Sequence, residues 1–315
     1  MPRDARAPAV AGALVLAVAL LGGCATPQVS ALIEHAPASL PPRAELSETP
    51  FFAQEQYQCG PASLATALTH AGTATTPEAL KSEVYVPARE GSLQPEMLAA
   101  TRRNGYVAYR IAPSLEALLR EVASGTPVIV LQNLSLPIAP LWHYAVVIGY
   151  DLPSQEIVLR SGVTERLAMS MSTFERTWAR GGHWAMVAVP PQRVPVSADP
   201  ESFFGAVLAL ERVSASAGRQ GYANALARWP DHLLSRIALG NAEYRAGNLG
   251  AAEAAFREAT RRHPEAADAW NNLAQTLLEL GRRQDALKAA ERAVNLGGPR
   301  LAQYRATLQA VTTTR

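Results

Sequence analysis

The chain has 315 residues, 48% of them hydrophobic and 18% charged, and 29 basic residues nearly balance 27 acidic ones for a net charge of +2. That length suits about two domains, each able to bury a core without metal or disulfide staples. The near-neutral balance offers no polybasic surface for nucleic acid, and a mean hydropathy near zero excludes both a polytopic membrane protein and general disorder. All but two of the basic residues (Lys81 and Lys288) are Arg, a mark of genomic composition and not of chemistry.

Residues 1–23 begin with Arg3 and Arg6, continue through an apolar run from Ala9 to Leu21, and end on small residues. This is the layout of a secretory signal, and it is shorter than the roughly 20 apolar residues that span a bilayer. The run closes as Leu21-Gly22-Gly23-Cys24, which resembles the bacterial lipobox. The resemblance implies lipidation of Cys24, whose acyl chains give stable anchoring. An ordinary signal with an incidental Cys, or an uncleaved anchor, is the competing reading. Ala25 in place of an acidic residue favours the outer over the inner membrane, on the periplasmic face. From Thr26 to Pro50 the chain is rich in Pro, Ala and Ser without a sustained period, so residues 24–50 are expected to be a lipidated Cys and a flexible tether.

Lipidation of Cys24 leaves Cys59 as the single thiol of the mature chain, in a compartment that oxidises thiols. A lone thiol there points to reactivity; an inert core thiol is the alternative.

Residues 51–192 mix helix and strand. Helices are expected at Gly60–Ala71, at Gln94–Asn104 before Gly105, and after the Ser114 N-cap with Gly125 past the end. Strands are expected at Tyr106–Ile111 and Pro127–Leu131. Trp142–Tyr150 and Glu156–Arg160 flank Asp151-Leu152-Pro153-Ser154-Gln155 as a hairpin. A short helix at Ser172–Arg180 and a strand at His183–Val189 follow, an α+β layout.

After Pro190-Pro191 the composition turns to Ala, Leu, Arg and Glu. Leu239-Gly240, Gly247, Ala252, Phe256 and Ala259 recur 34 residues later as Leu273-Ala274, Gly281, Ala286, Ala290 and Ala293. This spacing, with Trp270 and Pro264, resembles the tetratricopeptide repeat. A degenerate helical hairpin at Glu201–Trp229 caps two such repeats, so that residues 199–300 form an all-α solenoid and residues 301–315 a C-terminal helix or tail. An unrelated helical bundle is the alternative.

Gln54-Glu55-Gln56-Tyr57-Gln58-Cys59-Gly60-Pro61 places the thiol at the start of a helix, where the partial positive charge lowers a thiol pKa. Unpaired backbone N–H groups there can hold an oxyanion with help from a Gln amide. His143 opens an apolar strand, Trp142–Asp151, that has little other use for an imidazole, 84 residues after Cys59. A satisfied core histidine is the plainer reading of it.

These residues resemble the double-glycine-leader peptidases that process bacteriocins, and their wider papain-like relatives. The resemblance spans roughly 140 residues and implies a papain-like α+β cysteine peptidase with Cys59 as nucleophile and His143 as general base and acid. It also implies a Gln in the oxyanion hole and an acidic or amide residue orienting the His. The family's Gln sits six residues before the Cys, where this chain has Ala53; Gln54 is the nearest candidate, with Gln56 and Gln58 behind it. The family's orienting Asp, followed by Pro, aligns with Ser161-Gly162. Ser161 is thus a possible orienter without charge, with Asp151 and Glu165 as alternatives. His183 is a further residue that could line a cleft.

No HExxH or CxxC occurs, and His35, His70, His232 and His263 show no ligand spacing, so no metal is expected. No Gly-rich phosphate loop or other cofactor motif is present. The sequence points to a lipid-anchored periplasmic cysteine peptidase acting on a peptide or protein, with the repeats recruiting substrate or a protein partner. It carries no exporter domains that would tie it to bacteriocin export. An inactive papain-like scaffold and a transglutaminase-like acyl transferase are the alternatives.

Overall fold

A computed structural model describes residues 26–54 and 58–313. Residues 1–23, expected from the sequence to be a signal, Cys24 and Gln56 lie outside the described residues. The chain divides into two compact units, one of residues up to Met97 with Arg110–Val187, the other of Leu98–Tyr109 with Ala188–Arg315.

In chain order, the elements leading to the central strands are α1 (Pro27–Glu34), β1 (Arg43–Glu45), α2 (Cys59–His70), α3 (Pro77–Val84), β2 (Tyr85–Val86), β3 (Gly91–Ser92), α4 (Gln94–Arg103), β4 (Val107–Arg110) and α5 (Leu115–Ala123). Then come β5 (Val128–Asn133), β6 (Trp142–Asp151), β7 (Glu156–Ser161), β8 (Thr164–Ser170), α6 (Met171–Arg180) and β9 (Ala185–Val189). The strands of the first unit run antiparallel in the order β9, β5, β6, β7, β8. β6 has ten residues, longer than β5 can cover, so β1 pairs with its far end, Arg43 opposite Asp151 and Glu45 opposite Gly149. A Cβ at Gly149 would stand 2.9 Å from the Ala44 carbonyl, so glycine is what lets β1 approach. β5 is buried along its whole length, as an inner strand covered on both faces must be.

The expected helices and strands between Cys59 and Val189 are present, including the Ser114 cap, whose Oγ accepts the Ala117 N–H. Four elements in this region were not expected: α3, the two-residue strands β2 and β3, and β8. α3 carries a readable start, Thr76 capping Ala79 N–H with Pro77 in the first turn. β8 is an edge strand with mostly exposed residues, so it lacks the clean alternation that marks a half-buried strand.

The tether expected over residues 24–50 is corrected by the structure, because the chain is folded from Pro27 onward. Buried Val29 and Leu32 fix one face of α1. The backbone N–H groups of Gln28 and Val29 donate to Glu175 Oε1 and Oε2 at 3.0 and 2.8 Å. In return Gln28 Oε1 accepts the Leu115 N–H at the start of α5, at 2.5 Å. Two helix ends are thereby capped by side chains from distant parts of the chain. Arg160, on β7, holds the next stretch, donating from Nε and Nη2 to the carbonyl of Thr49 at 3.1 and 2.8 Å, and from Nη2 to that of Ser47 at 2.8 Å.

The second unit continues with the helices α7 (Pro200–Glu211), α8 (Ala215–Arg228), α9 (Leu233–Arg245), α10 (Leu249–Arg262), α11 (Ala267–Glu279), α12 (Arg283–Leu296) and α13 (Leu301–Thr313). The small residues of the repeat act as sequence reasoning expects. A Cβ on Gly240 would lie 2.5 Å from the Phe256 ring, so α9 and α10 touch where only glycine fits. Its counterpart Ala274 lies in a cluster with Phe256, Leu273, Leu277, Ala286 and Ala290. Gly247 and Gly281 end equivalent helices with φ of 77° and 73°, the left-handed conformation that glycine adopts freely.

Candidate active site

One cleft of about 1120 Å³ in the first unit is lined by Gln54, Cys59, His143 and Tyr144, together with residues of the β2–β3 ribbon and the ends of β5 and α6. Cys59 begins α2, and α2 is buried from Gly60 to Leu68, so the helix cannot shift without unpacking the core. Gly60 fixes the approach of the ribbon, because a Cβ there would fall 2.1 Å from Ser92 Oγ.

His143 is the second residue of β6, opposite Gln132 of β5. Its Nε2 lies 2.9 Å from Ser161 Oγ at the end of β7. Ser161 pairs with Thr164 across a two-residue turn, Gly162-Val163, with Gly162 at φ 60°. The carbonyl of Gly162 accepts the backbone N–H of Gln54 at 3.0 Å. Ala53 is exposed while Gln54 is half-buried on the cleft wall, so the departure by one residue from the family spacing puts a Gln at the cleft.

The alternative orienters do not reach the imidazole. Asp151 stands at the opposite end of β6, where its carboxylate accepts the Ser154 N–H at 3.1 Å and pairs with Arg43 at 3.4 Å. Eight residues of strand place it roughly 26 Å along from His143. Glu165 is exposed on β8, and its carbonyl accepts Arg160 Nη1 at 2.7 Å. His183 packs edge-on against Trp178, with ring centroids 4.8 Å apart.

The electrostatics correct one expectation. Burial pushes the Cys59 thiol above its ordinary pKa, although backbone hydrogen bonds at Tyr144, Gly60 and Cys59 itself pull the other way. The helix terminus alone would favour thiolate, but desolvation of the charged form outweighs it. Burial likewise lowers the pKa of His143. Both shifts favour the uncharged forms of the two cleft residues.

Sequence reasoning missed much of the cleft wall. Tyr144 is 2% exposed, and its hydroxyl has no hydrogen-bond partner among the described residues. Burial, with Cys59 and Glu96 nearby, raises its pKa far out of reach, so it stays a neutral phenol. As the neighbour of His143 it was available as a signal. Arg89–Leu93 carried none, since strands of two residues are too short for any period to show, and Arg180 was legible only as the end of a helix. Among the described residues no group of three or more His, Cys, Asp or Glu could hold a metal ion.

Residues 46–186 match the Peptidase_C39 like family, and residues 206–259 and 237–304 match the tetratricopeptide repeat. A C39-like peptidase from Bacillus anthracis is similar at 20% identity, over 47% of this chain and 97% of that one, with a TM-score of 0.41. The peptidase domain of Streptococcus ComA, a bi-functional ABC transporter involved in a quorum-sensing pathway, is similar at 18% identity over 45% of this chain and 99% of that one, with a TM-score of 0.38. MamA is similar at 15% identity over 36% of this chain and 66% of that one, with a TM-score of 0.33. None of the curated proteins matches the chain. The chain carries a Peptidase_C39-like domain with an antiparallel sheet, followed by tetratricopeptide repeats.

Proposed function

We propose that this Peptidase_C39-like domain with its tetratricopeptide repeats is a cysteine peptidase, anchored through lipidated Cys24 to the periplasmic face of a bacterial membrane. The observation that carries the reading is that Cys59 at a helix start and His143, its Nε2 2.9 Å from Ser161 Oγ, line one cleft. With Nε2–H donating to Ser161, Nδ1 keeps its lone pair for the thiol proton. Cys59 Sγ attacks the peptide carbonyl carbon as His143 takes that proton, a general-base step that starts from a neutral pair. The oxyanion is held by the Cys59 backbone N–H and the Gln54 side-chain amide. His143 then gives its proton to the leaving amine, and water activated by the same imidazole hydrolyses the thioester. The repeats present a surface suited to an extended peptide or a partner helix, and recruit the substrate or a protein partner.

The test is turnover of a fluorogenic peptide library by the full chain. The Cys59→Ala variant should abolish cleavage and His143→Ala nearly so. A second reading, a papain-like scaffold that only holds peptides, is favoured by the neutral Ser161 in the orienting position. Binding of the library without cleavage by the unaltered chain establishes that reading. Transfer of the acyl group to an added amine in place of water marks the acyl-transferase alternative, and product masses separate it from hydrolysis.

A further inference from the structure

The loop between β5 and β6 carries a run of exposed apolar side chains. Leu134, Leu136, Ile138, Leu141 and Trp142 are 41%, 64%, 91%, 59% and 53% exposed, and residues 134–142 include no charged side chain. Hydrogen bonds fix the base and the tip of the loop. The Leu134 N–H donates to the Leu141 carbonyl at 2.9 Å, and Asn133 Oδ1 accepts the N–H groups of Ser135 and Leu141 at 3.0 and 2.9 Å. A turn closed by Ala139 N–H on the Leu136 carbonyl, at 3.0 Å, holds Pro137 and Ile138 at the tip. A contiguous apolar surface held open in this way marks an interaction site.

Where the N-terminal chain is fastened indicates what covers it. Glu175 of α6 grips the first turn of α1, and only Ala25 separates Cys24 from Thr26, a reach of about 7 Å. The same helix holds the base of the loop, since Arg180 Nε donates to the Asn133 carbonyl at 3.1 Å. From Glu175 to Arg180 a helix rises only about 7.5 Å. The attachment point of the lipid and the root of the apolar loop are thus tied to one short helix, with no long tether between the lipid and the folded unit. An uncharged tip with an exposed Trp beside it matches the chemistry of a membrane interface, where indole rings concentrate.

We propose that loop 134–142 is a membrane-contact element that acts with the Cys24 anchor to seat the first unit on a lipid surface. This rests on the lipid-anchored reading above. Leu141 and Trp142 also belong to the cleft wall, so the cleft opens beside the lipid and receives peptide stretches that lie next to the membrane.

The test uses the full lipidated chain in vesicles of phosphatidylcholine and phosphatidylglycerol that contain acyl-chain-brominated lipid. The Trp142 signal is taken as the difference from Trp142→Phe. The expected result is bromine quenching of Trp142, lost in a Leu136→Asp, Ile138→Asp double variant that still floats with the vesicles and melts normally. Flotation without quenching of Trp142 overturns the loop contact and leaves the anchor standing. A chain that neither floats nor is quenched overturns both. Quenching that survives the double variant, with a raised KM for peptides, assigns the loop to substrate recognition and also overturns the proposal.

Discussion

The backbone N–H of Gln54 donates to the carbonyl of Gly162 at 3.0 Å, one residue beyond the Ser161 whose hydroxyl meets His143. The turn after β7 thereby holds two residues of the cleft wall, Gln54 through its main chain and His143 through a side chain. Because Gln54 is braced by its backbone, Gln54→Ala leaves the frame in place and removes only the amide. The expected loss is about 100-fold or more in kcat, with an unchanged melting temperature. Steady-state kinetics beside a thermal melt check both halves.

Ser161 supplies position without charge. Ser161→Ala should lower kcat/KM by roughly ten- to a hundred-fold, well short of the loss in Cys59→Ala. Ser161→Asp places a carboxylate beside the imidazole and raises the His143 pKa, because an opposite charge favours the protonated form. Activity should rise at neutral pH and its acid limb should move upward. A pH–rate profile of both variants reads this directly.

The pH behaviour follows from burial of the pair. With the Cys59 thiol raised and His143 lowered, iodoacetamide alkylation of Cys59 should climb only above the ordinary thiol pKa of about 8.5. A fast plateau near pH 6 that vanishes in His143→Ala would show a thiolate–imidazolium pair instead. Stability carries the matching sign. A depressed His143 pKa contributes stability that is fully present above its ordinary pKa of about 6.5 and is lost as pH falls below it. A raised Cys59 pKa contributes stability lost as pH rises past the ordinary thiol value. Melting temperatures of His143→Gln against the unaltered chain, between pH 7 and 5, isolate the first effect.

Glu175, 2% exposed, accepts two backbone N–H groups of α1. Glu175→Ala strips both acceptors and should cost about 3 kcal/mol. Limited proteolysis should then cut between residues 27 and 42, where the unaltered chain resists.

In the repeats, Gly240→Ala drives a methyl toward the Phe256 ring, 2.5 Å from the Cβ position. The expected destabilisation is about 1–3 kcal/mol, read by urea denaturation. A Gly240→Ala, Phe256→Leu pair should recover part of it by making room.

Features with a local cause were open to sequence reasoning. Ser114 declares a helix start by its own chemistry, His143 stands out against an apolar strand, and the repeat announces itself through small residues at a fixed offset. What stayed hidden depends on partners far along the chain. Nothing near Gln28 shows that Glu175 will cap its helix, so a folded segment passes for a tether. The direction of the Cys59 shift is likewise invisible, since the helix end is written in the sequence whereas burial is decided by the ribbon and β6 packed around it. β8 failed for a plainer reason: an exposed edge strand has no apolar face to set a period.

Among the described residues, Arg160 hydrogen-bonds main-chain carbonyls, those of Ser47, Thr49 and Glu165. A carbonyl is present whatever side chain its residue bears, so exchanging Ser47 or Glu165 for another residue leaves each of these bonds available. Adding or deleting one residue between Thr49 and Gln54 would instead slide the carbonyls out of register with the guanidinium or pull Gln54 away from Gly162. The rim of this cleft therefore tolerates drift in residue identity but not in chain length.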